Sequence, residues 1–170
     1  MKILMHICCG PCAVYPVAVL KLKNLDFTGY FYNPNIHPID EYMRRMENVK
    51  LFADHAKIDV IYEEGFQQDY WEENFDKNDE SRCLYCYAIR MEKAFKYAAK
   101  NGFDVVTTTL LVSPYQKHEM IIQKCNELSA STGVGFYYYD FREGFRKGQQ
   151  GARDIGLYRQ KYCGCILSRS

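Results

Sequence analysis

The sequence has no apolar run approaching the roughly 20 residues that a membrane span requires. Its first apolar stretch breaks at His6 and again at Gly10-Pro11, so no secretory leader is expected. Internal repeats and low-complexity linkers are absent. Net charge is nearly absent too: at +1 there is no global excess to attract a polyanion, and any nucleic-acid surface must be a local patch. Trp occurs once against 15 Tyr and 10 Phe, so stacking surfaces would have to come from Tyr and Phe. The 8 cysteines in 170 residues fall below the roughly 8–10% of a disulfide-stapled scaffold. With 48% apolar and 25% charged residues, the composition is that of a soluble globular protein and excludes disorder as the main state. These features predict one cytoplasmic domain over 1–170, with no membrane partner.

Short apolar runs alternate with helical patterns. Strands are expected at Ile3–Ile7, Asp26–Tyr32, Ile58–Tyr62, Val105–Leu110 and Phe136–Tyr139. Helices are expected at Ala13–Leu22, with Pro16 in its first turn, and at Asp40–Ala56, with Tyr42, Met46, Val49 and Phe52 on one face. Two more are expected at Cys83–Asn101, closed by Gly102, and at Gln116–Ser131, closed around Gly133. The acidic, aromatic stretch Phe66–Glu80 reads as short helix and loop. The resulting fold class is α/β: a mostly parallel, about five-stranded Rossmann-like sheet with helices on both faces. In such sheets ligands sit at the carboxyl ends of the strands. The unusual stretches Cys8–Cys12, Asn33–Pro38, Ser113–Gln116 and Asp140–Arg142 all follow strands, so all share that edge.

The cysteines are clustered. Cys8, Cys9 and Cys12 lie within five residues, Cys83 and Cys86 form a CxxC at a helix start, and Cys163 and Cys165 flank Gly164. Clusters without a secretory signal point to metal ligands or redox thiols. Neighbouring side chains on extended backbone point apart, so Cys8 and Cys9 converge on one metal only if Gly10-Pro11 turns the chain. Two thiolates from each of the first two clusters would complete a four-thiolate site, suited to zinc or to an iron–sulfur centre. Cys12 is then left over, which a structural zinc site does not need and a redox centre with a second metal does. A disulfide across Cys163-Gly164-Cys165 would be strained and easily reduced, as electron relay requires. Cys125, inside a helix, reads as an inert buried thiol. His37 and His118, expected in edge loops, are candidate proton donors, whereas His6 reads as a core residue and His55 as surface. The segment from about 140 to 170 interleaves Arg142, Arg146, Lys147, Arg153, Arg159 and Lys161 with Tyr and Phe, a pattern suited to phosphate contact and base stacking.

Several stretches resemble a known family. They are His6-Ile-Cys-Cys-Gly-Pro-Cys12, Phe31-Tyr-Asn-Pro-Asn-Ile-His-Pro38 with Glu41-Tyr42, and Arg82-Cys-Leu-Tyr-Cys86 with Arg90. Thr107-Thr-Thr-Leu-Leu-Val-Ser-Pro-Tyr-Gln116, Asp140-Phe-Arg142 and Leu157-Tyr-Arg-Gln-Lys-Tyr-Cys-Gly-Cys165 continue the match. In order, and across nearly the whole chain, they are similar to the cobalamin-independent epoxyqueuosine reductases. The resemblance implies two-electron reduction of the epoxide of epoxyqueuosine in the wobble position of tRNAs with a GUN anticodon, releasing water. It also implies a [4Fe-4S] cluster, carried over to Cys8, Cys9, Cys83 and Cys86. An additional iron has Cys12 as candidate ligand, and no cobalamin is implied. Cys163 and Cys165 match a redox-active pair supplied by an external electron donor. His37 is the candidate proton donor. Asn33, Asn35, Ser113, Tyr115, Gln116, Arg142, Arg146 and Arg159 are the candidate substrate contacts. Two alternatives stay open on the residues alone: a four-cysteine zinc domain that binds RNA without catalysis, and a thiol–disulfide oxidoreductase.

Overall fold

The computed structural model describes residues 1–169, so Ser170 of the expected domain lies outside the described residues. In chain order the regular elements are β1 (Lys2–His6), α1 (Gly10–Leu22), β2 (Asp26–Phe31), α2 (Ile39–Ala56), β3 (Val60–Tyr62), α3 (Gln68–Asn74) and α4 (Ser81–Lys100). They continue with β4 (Val105–Thr108), α5 (His118–Thr132), β5 (Gly135–Phe136) and α6 (Phe145–Asp154), with short 3-10 turns at Thr109–Val112, Phe141–Gly144 and Ile166–Ser168. The five strands form one sheet in the order β3-β2-β1-β4-β5. Every pairing is parallel, with Met5 opposite both Gly29 and Thr107.

The central strand reads as an unbroken apolar run because it is covered on both faces. Alternation sends Ile3 and Met5 against Val17 and Leu20 of α1 and Val49 and Phe52 of α2. Leu4 faces the other way, against Met91 and Phe95 of α4 and Ile121 of α5. The expected apolar face of α2 is buried as read, with Tyr42, Met46, Val49 and Phe52 all in the core. Strand order reverses beside β1, since β2 and β3 extend to one side and β4 and β5 to the other. The carboxyl ends of β1 and β4 therefore flank the crevice where open α/β sheets bind ligands.

The structure corrects several expected boundaries. α1 starts at Gly10 rather than Ala13, because Cys9 has extended backbone (φ −166°, ψ 165°) and Pro11 occupies the first turn, where no N–H is needed. Pro16 consequently lies inside the helix and leaves the Cys12 carbonyl without its usual intrahelical donor. α5 starts at His118 rather than Gln116, which puts His118 at the first turn of the helix and not in an edge loop. β4 stops at Thr108, whose hydroxyl accepts from the Leu110 amide at 3.1 Å and converts the strand end into a 3-10 turn. α6 has no clear signal in the sequence, where Arg, Lys, Gln and Gly predominate. The glycine just before it serves packing: a Cβ on Gly144 would lie 2.1–2.2 Å from the ring of Tyr15 in α1. Only glycine lets the chain approach α1 there, at the entrance to α6.

Candidate metal centre

The carboxyl end of β1 carries the first thiols. The Cys8 amide donates to Thr109 Oγ1 at 3.1 Å, and its Sγ lies 3.2 Å from the same hydroxyl, which fixes Cys8 to the end of β4. The turn at Gly10-Pro11 then brings Cys12 back on the first turn of α1. The sulfurs of Cys8, Cys9 and Cys12 all lie within 4.8 Å of one another, and those of Cys8 and Cys9 are 3.9 Å apart. Hydrogen bonds from the Cys12 and Cys9 thiols hold Cys8 well below the ordinary thiol range. Burial pushes Cys9 up, and the neighbouring Cys8 pushes Cys12 up. A metal bound by these thiols must displace the protons they hold.

The first turns of α4 supply Cys83 and Cys86. Cys83 lines a cavity of about 440 Å³ together with Cys8, Cys9, Cys12 and Cys163. Cys86 lies behind it, in a smaller pocket shared with Cys83, Cys163 and Cys165, and burial pushes its thiol up to about 12. A hydrogen-bonded chain ties this helix to the sheet. Asn33 Nδ2 donates to the Ile7 carbonyl at 2.9 Å, while its Oδ1 accepts from His6 Nε2 at 3.1 Å. His6 Nδ1 lies 3.0 Å from Thr108 Oγ1. The fully buried His6 is pushed down to about 4 by burial and then by the nearby Arg90 charge, so it is a neutral core residue, as expected.

The third pair of cysteines lies in a segment without regular structure, fixed by polar side chains of α2. Asn48 donates to the Tyr158 carbonyl at 2.7 Å and accepts from the Tyr158 amide at 3.1 Å. Glu41 accepts from the Tyr158 hydroxyl at 2.9 Å and pairs with Arg45 at 2.7 Å. Arg45 in turn donates to the carbonyls of Tyr162 at 2.8 Å and Cys163 at 3.0 Å. Gly164 has φ +120°, and a Cβ there would lie 2.9 Å from Arg45 Nη1, so the residue between the two cysteines must be glycine. Cys163 is exposed, whereas Cys165 is buried against Trp71 and Cys86. Seven thiols from three distant parts of the chain thus line two adjoining cavities. Cys125 is separate from them, fully buried in the core as an inert thiol.

The comparisons with known proteins bear on this arrangement. The family model described as "Epoxyqueuosine reductase QueH" matches residues 3–170. The protein of that name from Dehalococcoides mccartyi is 32% identical over 167 residues, covering 98% of this chain and 92% of its own length. Its namesake from Histophilus somni is 36% identical over 177 residues, with 98% and 72% covered. The chain belongs to the epoxyqueuosine reductase QueH family. It is an oxidoreductase of queuosine tRNA modification that reduces epoxyqueuosine to queuosine. Two solved structures share the fold at low identity. U34-tRNA thiolase NcsA from Methanococcus maripaludis with its [4Fe-4S] cluster superposes with a TM-score of 0.58 at 15% identity, covering all of this chain and 62% of its own. The zinc-inhibited form of teicoplanin deacetylase Orf2 gives 0.54 at 12% identity, with 80% and 66% covered.

Among the candidate substrate contacts of this family member, Asn35, Ser113, Tyr115 and Gln116 all line the main cavity. Asn33 does not: it is the fully buried bracket described above. Arg146 and Arg159 line a further groove with Lys147 and Arg153, which shares Tyr115, Phe145 and Gln149 with the wall of the main cavity. Arg142 lies elsewhere, paired with Asp140 at 2.7 Å. His37 departs most from its expected role as proton donor. Its Nε2 donates to the Pro34 carbonyl at 3.1 Å, and its Nδ1 accepts from the Ile166 amide at 3.0 Å. The His37 amide donates to the Gly164 carbonyl at 2.8 Å. With both ring nitrogens engaged, and burial lowering its pKa to about 4, His37 is a neutral strut for the cysteine loop. His118 is likewise absent from the cavity wall and lies 2.9 Å from the Tyr138 hydroxyl. Residue types alone did not single out Gln160, whose Nε2 donates to Cys9 Sγ at 2.7 Å. The polar row Glu41, Arg45 and Asn48 could have been found, because it runs at helical spacing directly beside the apolar stripe of α2.

Proposed function

We propose that Cys8, Cys9, Cys83 and Cys86 hold a [4Fe-4S] cluster, that Cys12 binds an additional iron beside it, and that no cobalamin takes part. Cys163 and Cys165 pass electrons inward from an external donor. The observation that carries this reading is the convergence of thiols from β1, α1, α4 and the C-terminal loop on one crevice at the reversal of strand order. The donor set is all thiol, which suits an iron–sulfur centre. When bound, these groups supply single electrons and a Lewis acid for the epoxide oxygen. Reduction consumes two electrons and two protons, breaks both C–O bonds, leaves a C=C bond and releases water.

The chain itself binds and orients the substrate. A cavity of about 440 Å³ suits a modified nucleobase. Asn35, Ser113 and Gln116 offer polar groups along its wall, and the Asn35 carboxamide oxygen is buried without a protein partner, ready to accept from a bound base or ring hydroxyl. Tyr115 is 84% exposed at the rim, with its ring edge-on to Phe145 at 5.8 Å, which suits stacking on a nucleotide next to the wobble base. Beyond the rim, the Arg146, Lys147, Arg153 and Arg159 groove takes phosphates of the anticodon arm of tRNAs with a GUN anticodon. No helix among the described residues is long and apolar enough to cross a membrane. The tRNA substrate puts the proposed reaction in the cytoplasm.

The groove assignment is tested by replacing Arg146 and Arg159 together with alanine. Binding of epoxyqueuosine-containing tRNA should weaken, and the slope of log affinity against log salt should fall by about 0.7–0.9 per lost phosphate contact. Iron content should stay unchanged. An unaltered salt slope removes this groove from the interface. Arg142→Ala serves as a comparison and should change the slope less, because Asp140 already neutralises that guanidinium.

A further inference from the structure

Arg90 lies on α4 one turn beyond Cys86, and only 3% of it is exposed. Its Nε donates to the Cys86 carbonyl at 3.1 Å, its Nη2 to Cys86 Sγ at 3.0 Å and its Nη1 to Asn33 Oδ1 at 3.5 Å. The guanidinium carbon is 5.8 Å from the centre of the Tyr87 ring. Among the described residues no carboxylate pairs with it. Arg45, buried just as deeply, shows the contrast, because Glu41 neutralises it at 2.7 Å. A buried guanidinium cannot shed its proton, and leaving it without a counter-charge is costly. The ionisable groups near Arg90 are the thiols of Cys86, Cys8 and Cys163, the Tyr87 hydroxyl and the neutral His6. Tyr87 is pushed up to about 12 by burial and carries no charge at neutral pH. Only thiolates remain to balance the cation.

We propose that Arg90 is the fixed counter-charge of the thiolate-bound cluster and sets its reduction potential. The inference rests on the reading that Cys86 is a cluster ligand. Reduction adds a negative charge, so a fixed cation and an N–H···S hydrogen bond both favour the reduced state, two of the levers by which proteins tune such centres. Arg90 is a positioning residue in this sense: it acts through the cluster and does not touch the substrate. Asn33 aims it, because Asn33 Oδ1 accepts from both Arg90 and His6 while Asn33 Nδ2 is fixed to the Ile7 carbonyl.

The test uses anaerobically purified holoprotein with Arg90→Gln and Arg90→Lys. Iron and sulfide are measured first, then the midpoint potential by a dye-mediated redox titration followed by electron paramagnetic resonance. The Gln variant should keep its cluster but take up an electron at least tenfold less favourably, a shift of about 59 mV to more negative potential for a one-electron couple. The Lys variant, which keeps the charge without the planar fork, should fall between the two. A Gln variant with the wild-type potential overturns the proposal. If the Gln variant loses its iron, the Lys variant decides: retained iron supports the counter-charge, and loss from both overturns it in favour of simple packing. Wild-type protein without iron and sulfide refutes the cluster reading and this inference with it, and that failure is visible before any substitution is made.

Discussion

Cys83→Ala or Cys86→Ala should yield colourless or nearly colourless protein that no longer forms queuosine. The effect is large because each position removes one of four thiolates that a [4Fe-4S] centre requires. Cys86 is the more informative of the two. Without a metal, burial holds its thiol near 12, so it stays protonated at neutral pH and makes a poor nucleophile. A deeply buried, protonated thiol facing a buried cation is a poor catalyst but a sound metal ligand, since coordination drives off the proton. Iron should fall from about four or more per chain to well below that in either variant. A Cys86→Ala protein with full iron and sulfide would show that the ligand set is drawn from other thiols. Colourless wild-type protein holding one zinc would favour a zinc domain, and colourless, metal-free protein a thiol–disulfide enzyme.

The double substitution Cys163→Ser, Cys165→Ser should act quite differently. The protein should stay brown with normal iron and sulfide, bind its tRNA normally, and lose multiple turnover. Cys163 is exposed while Cys165 is buried against Cys86, so the pair spans the path from the surface to the innermost thiol. The loop that carries it is held rigidly by Arg45, His37 and Glu41, none of which depends on the two sulfurs. Removing the thiols should therefore leave the cavity intact. With no relay, product should be limited by stored electrons: a cluster holds one of the two that each reduction needs, so about half a queuosine per chain or less should form. Separating single from multiple turnover, with the modified nucleoside followed by mass spectrometry, makes the distinction. Bleaching of the double variant would make the pair ligands. Wild-type turnover would show that electrons enter by another route.

Much of this was legible in the sequence because strong local signals coincided. β1 is an apolar run ending in Cys-Cys-Gly-Pro, and the need for a turn there followed from the alternation of side chains on a strand. The apolar stripe Tyr42, Met46, Val49 and Phe52 gave α2 its buried face. The parallel order and the grouping of Cys8, Asn35 and Ser113 at one sheet edge followed from strands alternating with helices. What escaped depends on contacts distant in the chain. α6 is rich in helix-forming Arg, Lys and Gln, but its two glycines hide that signal, and their place against Tyr15 and Val14 of α1 emerges only in the fold. His37 has the residue type of a proton donor, yet the Pro34 carbonyl and the Ile166 amide occupy both nitrogens, and Ile166 is 129 positions away. Arg142 is the local exception: it belonged to a basic run, but Asp140 two residues earlier neutralises it. In each case the partner, not the residue type, decides the role.

Reduction of epoxyqueuosine at an iron–sulfur centre built on this chain's own thiols is open to direct test. The most direct measurement is to purify the protein without oxygen, quantify iron and sulfide, and supply excess chemical reductant with tRNA carrying epoxyqueuosine. The nucleoside is then followed by mass spectrometry. The expected result is a nucleoside lighter by one oxygen atom, formed over many turnovers by protein with about four or more irons per chain, and not formed by the same protein after chelation has removed its iron. Protein with its full iron and sulfide that leaves epoxyqueuosine unchanged, or iron-free protein that converts it equally well, would contradict the account.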